Sequence, residues 1–132
     1  MEKRENLRHE YSELGEALRH YSALRFAILT VFFALVGGLI SISFSPSNTN
    51  QFVIISTRVG GLLGTLAFWV FEYRLEIYMS HFEHRAKELE EALGYNIYTG
   101  RKQGGFRFIS TPLAIRGLYS AVIIFWIVSF FI

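Results

Sequence analysis

The apolar residues of this chain are collected into three long blocks, and charged residues are almost absent from them. The blocks are residues 24–44, 52–73 and 113–132. A soluble helix or strand would instead alternate apolar and polar residues at its own period. A helix needs about 20 apolar residues to cross a hydrocarbon core of ~30 Å, and each block supplies that length. The pattern predicts an all-α integral membrane protein with three transmembrane helices.

The composition agrees with a single membrane domain. Hydrophobic residues make up 52% of the 132 residues and charged residues 18%, against about 25% charged in an average soluble protein. The net charge of +2 is too small to indicate a nucleic-acid partner. Cysteine is absent, which excludes disulfides and thiolate metal sites.

The placement of lysine and arginine predicts the orientation. These residues precede the first block and fill the segment between the second and third, whereas residues 45–51 contain none. Basic residues near membrane-spanning helices are retained on the cytoplasmic side. We therefore expect a multi-pass protein of the cytoplasmic (inner) membrane, with its N-terminus cytoplasmic and its C-terminus extracytoplasmic.

Two charged segments carry a heptad-like apolar pattern. Residues 1–22 and 74–94 adjoin the first two spans and run in opposite directions, which predicts a cytoplasmic antiparallel helical hairpin extending both spans by ~30 Å. Gly94 is suited to end the second helix, and residues 95–112 are predicted to be a cytoplasmic loop. The apolar positions are Leu7, Tyr11, Leu14, Leu18 and Tyr21, and Leu75, Met79, Phe82, Ala86, Leu89 and Leu93.

Small residues recur three or four positions apart within all three spans. In lipid, helices associate through close packing, so small residues indicate helix interfaces. Packing of the first span on the second would account for part of the pattern. Small faces on all three helices favour a homo-oligomer. The residues are Ala27, Ala34, Gly37, Gly38 and Ser41 in the first span, Gly60, Gly61 and Gly64 in the second, and Gly117 and Ala121 in the third.

Arg58 lies inside the second span, about two turns from its extracytoplasmic end. A buried arginine is costly in lipid and indicates a functional position. Two interpretations are open. The side chain either reaches the headgroups or the Ile132 carboxylate, or it contributes to a ring of Arg58 side chains that lines an anion-favouring pore in an oligomer.

Three further charges lie at the cytoplasmic end of the second span: Glu72, Arg74 and Glu76. They form either an interfacial cluster with Arg19 and Arg25 or the charged vestibule of a pore. The loop contributes Arg101, Lys102 and Arg107, which would contact anionic lipid or an anionic signal molecule.

No pattern in the chain indicates catalysis or a cofactor. His81 and His84 are three residues apart, but no third ligand stands at a diagnostic spacing, so we expect no metal site. We likewise find no serine–histidine–acid arrangement and no pair of carboxylates within the spans. The protein is expected not to be an enzyme.

The juxtamembrane helix resembles that of small bacterial multi-pass proteins. It reads Phe-Glu-Tyr-Arg-Leu-Glu at 71–76 and His-Phe-Glu-His-Arg-Ala-Lys-Glu-Leu-Glu at 81–90. The layout of residues 1–94 is similar to SLATT-type membrane effectors, and the third span is additional to it. That resemblance implies oligomerisation and membrane permeabilisation in nucleotide-signalled antiviral defence.

Two functions follow as hypotheses. The first is a homo-oligomeric inner-membrane protein that forms or gates a pore, with the hairpin receiving a signal. The second is a non-conducting membrane anchor or scaffold that recruits a soluble cytoplasmic partner through the hairpin. Membrane lipid is a partner in both.

Overall fold

The computed structural model describes residues 2–99 and 111–132, and three α-helices account for nearly all of them. Helix α1 is Glu2–Ser43, α2 is Gln51–Leu93 and α3 is Thr111–Ser129. The prediction of an all-helical chain with three helices is confirmed. Each helix is long and apolar enough to cross a membrane. Helices α1 and α2 have 42 and 43 residues, roughly twice the length that a span requires.

Asparagine side chains close the turn between α1 and α2. The side chain of Asn50 caps α2 by accepting a hydrogen bond from the Phe52 N–H at 3.0 Å, which satisfies a donor that has no partner within the helix. The side-chain amide of Asn48 donates to the Ile42 carbonyl at 3.2 Å near the end of α1. These uncharged polar contacts allow two long helices to be joined by seven residues.

Helices α1 and α2 lie side by side and run in opposite directions. At one end, the Tyr11 hydroxyl donates to Glu90 at 2.7 Å. Near the other end, Arg58 donates to the Ser43 hydroxyl at 3.3 Å. Between these contacts, the ring of Tyr21 packs against Phe82 with a centroid distance of 5.6 Å.

Aromatic side chains form the core where α3 joins α1 and α2. Tyr119 of α3 is fully buried, with its ring 4.8 Å from Phe32 of α1 and stacked on Trp69 of α2 at 6.5 Å. Trp126 lies two turns further along α3 and is also fully buried. Large rings on α3 therefore fill the groove between the two longer helices.

Local residue types explain where α2 ends and where α3 begins. Gly94 ends α2 in the left-handed conformation, with φ of 75°, and its N–H donates to the Glu90 carbonyl at 2.8 Å. Helix α3 begins at Thr111, two residues before the predicted span, and Pro112 occupies its first turn, where proline costs no helical hydrogen bond. Of the predicted loop, 95–112, the structure describes residues 95–99, while residues 111 and 112 belong to α3.

Candidate functional site

Most of the exposed large apolar side chains of the described residues lie in a band across the three helices, and Tyr95 and Ile97 in the turn after α2 lie outside it. On α1 the large exposed apolar residues begin at Leu24 and continue to Phe44, and on α2 they run from Phe52 to Tyr78. The α2 stretch is 27 residues long, or about 40 Å by the helical rise. That length matches a bilayer including its interfacial regions. Exposed tyrosines at 73 and 78 are of the type enriched at membrane surfaces.

The small residues of α1 are directed away from the other two helices. Ala23, Ala27, Thr30, Ala34, Gly37, Gly38 and Ser41 are all exposed. A β-carbon built on Gly37 or Gly38 would meet no atom within 4 Å. Helix α1 instead packs on its neighbours through large side chains such as Phe32 and Val36. Among residues 2–99 and 111–132, the small-residue face of α1 therefore has no helix packed against it.

The other small residues divide into two groups. A β-carbon on Gly61 would overlap the indole ring of Trp126, and one on Gly64 would contact Leu35 at 3.4 Å. Gly60 and Gly117 have open space around them, and Ala121 is exposed. Gly61 and Gly64 thus serve packing within the chain, where the absence of a side chain permits close approach.

Arg58 contacts the end of α1. Its Nε donates to Ser43, and its guanidinium lies 5.4 Å from the centroid of the Phe44 ring. Phe44 in turn packs against Phe125 of α3, with centroids 5.9 Å apart. The side chain is half-buried at this junction of three helices. Among the ion pairs of the described residues, none joins Arg58 to the Ile132 carboxylate.

Glu72 forms a buried ion pair with Arg25. The two side chains are 3% and 13% exposed, and Arg25 Nε donates directly to Glu72 Oε1. Removing two charges from water is costly, and each of these buried charges is tolerated because the other one compensates it. The pair lies beside the aromatic core, one turn of α2 from Trp69.

The neighbouring charges have different environments. Glu76 accepts a hydrogen bond from Arg116 of α3 at 3.1 Å. Arg74 is exposed. The four-residue spacing of Glu72 and Glu76 places both on one face of α2, so that one contacts α1 and the other α3.

Glu90 is a second buried carboxylate, and sequence reasoning missed it. It accepts hydrogen bonds from the Tyr11 hydroxyl, the Tyr98 N–H, and both the N–H and hydroxyl of Thr99, at 2.7–2.9 Å. Burial alone would raise the pKa of Glu90, but these hydrogen bonds lower it to about 2. The charged carboxylate therefore holds the turn that follows α2 in contact with α1.

The pKa of Tyr11 is shifted in the opposite direction. Burial and the hydrogen bond to the Glu90 carboxylate raise the pKa of its hydroxyl well above the usual value. The phenol remains protonated and acts as a donor throughout the physiological range. Tyr11 also packs against Tyr95, with ring centroids 5.6 Å apart, so the turn is held by aromatic as well as polar contacts.

A signal for the buried ion pair is present in the sequence. The apolar series of α1 proceeds through Leu18 and Tyr21, and its next heptad-like position is Arg25. The series of α2, extended backwards from Leu75, arrives at Glu72. Opposite charges at facing positions of two apolar series indicate a buried pair that sets the helix register.

The remaining residues singled out from the sequence do not form a site within the part of the chain that the structure describes. Arg101, Lys102 and Arg107 lie outside the described residues. His81 and His84 are exposed, and no cluster of three metal-ligating side chains is found within residues 2–99 and 111–132.

Comparison of the chain with protein-family models, curated proteins and solved structures found no significant match. Function is therefore inferred from the residues and their geometry.

Proposed function

We propose that the chain crosses the cytoplasmic membrane of a bacterium three times, with its N-terminus in the cytoplasm. The exposed apolar band supports insertion, because its length on α2 agrees with the thickness of a bilayer. The basic residues on either side of the first two spans support the orientation. In this arrangement the N-terminal half of α1 and the C-terminal half of α2 form a cytoplasmic hairpin, and most of its charged residues face water, with Glu90 buried.

The membrane-embedded part of the protein assembles into a homo-oligomer through the small-residue face of α1. The observation that carries this proposal is that a β-carbon built on Gly37 or Gly38 would meet no atom of another described helix within 4 Å, while α1 packs on α2 and α3 through other residues. A face of glycine, alanine and hydroxyl side chains permits close backbone approach between helices in lipid. A second copy of α1 supplies a matching surface.

The oligomer forms or gates a pore. Within the described helices, the space between α1, α2 and α3 is filled by buried aromatic rings, so a conducting path would lie between copies of the chain. The hairpin would transmit a cytoplasmic signal to the spans, because α1 and α2 are each continuous from one region to the other. The resemblance to SLATT-type effectors favours a permeabilising role in antiviral defence.

A membrane anchor without conduction is the second candidate. The observation in its favour is that Arg58 contacts Ser43 and Phe44 of its own chain, which gives the arginine a packing role. In that case the hairpin recruits a soluble partner, and the spans serve only to hold it at the membrane.

Mass measurement in detergent tests the assembly. Ala34→Leu should fill the small-residue face and shift the protein to monomer. Phe33→Leu is the matched control, since Phe33 is also exposed on α1 but lies about 100° around the helix from Ala34, outside the small-residue face. A monomeric wild-type protein across detergents would refute the oligomer. Equal effects of the two substitutions would refute the assignment of the face.

Electrical recording in planar bilayers separates the pore from the anchor. A pore lined by Arg58 predicts that Arg58→Glu shifts ion selectivity towards cations. Arg8→Glu, at an exposed position in the N-terminal half of α1, is the control and should leave selectivity unchanged. An oligomer that stays silent in the bilayer, under cytoplasmic extract as well as at rest, favours the anchor.

A further inference from the structure

Two neighbouring cavities lie in the hairpin, between α1 and the turn that follows α2. Their volumes are about 190 Å³ and about 370 Å³, and both have Arg19 and Tyr98 in their walls. Ser22 lines the smaller cavity and is two residues from Leu24, where the exposed apolar residues of α1 begin. The cavities therefore lie at the level where the hairpin meets the spans.

The turn that carries Tyr98 is held in place by the buried Glu90 carboxylate. Glu90 accepts hydrogen bonds from the Tyr98 N–H at 2.7 Å and the Thr99 N–H at 2.9 Å. The Tyr98 ring also meets the ring of Tyr11 edge to face, with centroids 6.2 Å apart. These contacts fix a large ring beside α1, so the cavities are preformed, as the binding sites of small molecules usually are.

Gly15 keeps the larger cavity open. Glycine is an unfavourable residue in the interior of a helix, and α1 continues through this position without a break. A β-carbon at Gly15 would lie 3.9 Å from the Tyr98 hydroxyl, so a longer side chain there would extend into the cavity that both residues line. The absence of a side chain at position 15 preserves the space.

We propose that the two cavities bind a small zwitterion with an apolar side group, of the chemical class of the apolar amino acids. The smaller cavity is lined by one side chain of each charge, Arg19 from α1 and Glu83 from α2. The planar guanidinium of arginine suits a carboxylate, and a carboxylate accepts hydrogen bonds from an ammonium group. Lys87 lies 3.2 Å from Glu83, but an ion pair between such exposed side chains is weak and exchanges readily for a ligand.

The larger cavity receives the apolar group of the ligand. Its wall includes the rings of Tyr11 and Tyr98 and the side chain of Ile97. An apolar cavity of about 150 Å³ already holds a benzene ring, so about 370 Å³ leaves room for an aromatic side group. Because Arg19 lines both cavities, a ligand bound to it reaches the charged and the apolar compartment together.

The opposite charges of Arg19 and Glu83 disfavour other classes of ligand. Glu83 repels a ligand with several negative charges, and Arg19 repels a cation that has no acidic group. A zwitterion satisfies both, and it contacts α1, α2 and the turn at once. Such a molecule is the signal that the hairpin receives. This role rests on the function proposed above, whereas binding itself does not.

Titration calorimetry of the full-length protein in detergent tests the binding, with L-leucine, L-phenylalanine and L-tryptophan as probes and empty micelles as the blank. At least one of the three should bind with a Kd of ~1 mM or tighter. The corresponding compounds without the ammonium or the carboxylate, such as 3-phenylpropionate and phenethylamine for L-phenylalanine, should bind at least ~10-fold more weakly. Absence of binding by all three amino acids, or equal binding of an analogue with one charge, would overturn the proposal.

Substitutions in the cavity walls locate the site. Arg19→Gln removes the partner of the carboxylate and Gly15→Leu fills the larger cavity, so each should weaken binding at least ~10-fold. Leucine favours helices more than glycine does, so circular dichroism should show that α1 is intact in Gly15→Leu. Arg8→Gln is the matched control, because Arg8 is an exposed arginine of α1 that lines neither cavity. Unchanged affinity in both wall variants, or an equal loss in Arg8→Gln, would show that the ligand binds elsewhere.

The outcomes for this site and for the proposed function can be told apart. A conducting oligomer that binds none of the three amino acids would refute the site and leave the pore. A silent or monomeric protein that binds one of them, with the expected losses in Arg19→Gln and Gly15→Leu, would confirm the site and refute the pore.

Discussion

The indole ring of Trp126 lies directly against Gly61, so a β-carbon at position 61 would occupy the space of the ring. Trp126 is fully buried, so its ring is enclosed by neighbouring side chains. We predict that Gly61→Ala lowers the free energy of unfolding by ~1–3 kcal/mol, as overpacking of a well-packed core does. Unfolding in mixed detergent, followed by tryptophan fluorescence, measures the change.

Gly60→Ala is the control for this substitution. It is the adjacent residue in the same helix, and a β-carbon there meets no atom within 4 Å. Because alanine is a better helix former than glycine, Gly60→Ala should leave stability unchanged or raise it by up to ~1 kcal/mol. A similar loss of stability at both positions would show that the contact with Trp126 is not the cause.

The sequence alone could not separate these two glycines. The small-residue pattern marks Gly60, Gly61 and Gly64 together, because composition at a three-or-four-residue spacing indicates close packing but not the partner. The three helices themselves were predictable, since each apolar block contributes about 20 residues of consistent signal. Which face of α1 turns inward depends on how the large rings on α3 fit between the other helices, and that is a property of the packed bundle.

Because Arg25 and Glu72 form a buried ion pair, we predict that substitutions at these two positions have strongly non-additive effects on the free energy of unfolding. Glu72→Leu or Arg25→Leu alone should lower the free energy of unfolding by ~3–5 kcal/mol, because each leaves its buried partner without a counter-charge. The double substitution with leucine at both positions should cost less than either single substitution. The same detergent unfolding measurement gives all the values.

The exposed pair of Arg85 and Glu10 provides the comparison. Its atoms are 2.8 Å apart, but both side chains are more than 40% exposed. Surface ion pairs contribute little, so removing either partner should have a small effect that adds with the other. Additive losses at Arg25 and Glu72 would contradict the view that the two charges stabilise one another.

The two buried carboxylates differ in how far sequence could predict them. Glu72 and Arg25 continue the apolar series of their helices, so facing opposite charges could be expected once the two series are aligned. Glu90 lies next to Leu89 and its partners include the backbone of Tyr98 and Thr99. Backbone donors in a turn leave no trace in the pattern of side chains, so this contact required the structure.

Glu90→Gln is predicted to loosen the turn after α2. The amide nitrogen of glutamine cannot accept a hydrogen bond, so the N–H of either Tyr98 or Thr99 would lose its acceptor, depending on which way the amide is turned. The expected loss is about 1–3 kcal/mol in the free energy of unfolding. Faster hydrogen exchange at the N–H of Tyr98 and Thr99 would locate the effect. Glu91→Gln, at an exposed neighbouring position, should change neither quantity.

The low pKa of Glu90 predicts how the loss of unfolding free energy caused by Glu90→Gln depends on pH. Its carboxyl has a pKa of about 2 in the folded protein and an ordinary value of 4.5. A lowered carboxyl pKa stabilises the folded state fully above the ordinary value, and this stabilisation is lost as pH falls through the folded value. The difference in unfolding free energy between wild type and Glu90→Gln should therefore be constant above pH ~5 and shrink towards pH ~2. Other titrating groups cancel in the difference because both proteins contain them. A difference that does not vary over this range would show that the charge on Glu90 is not what holds the turn.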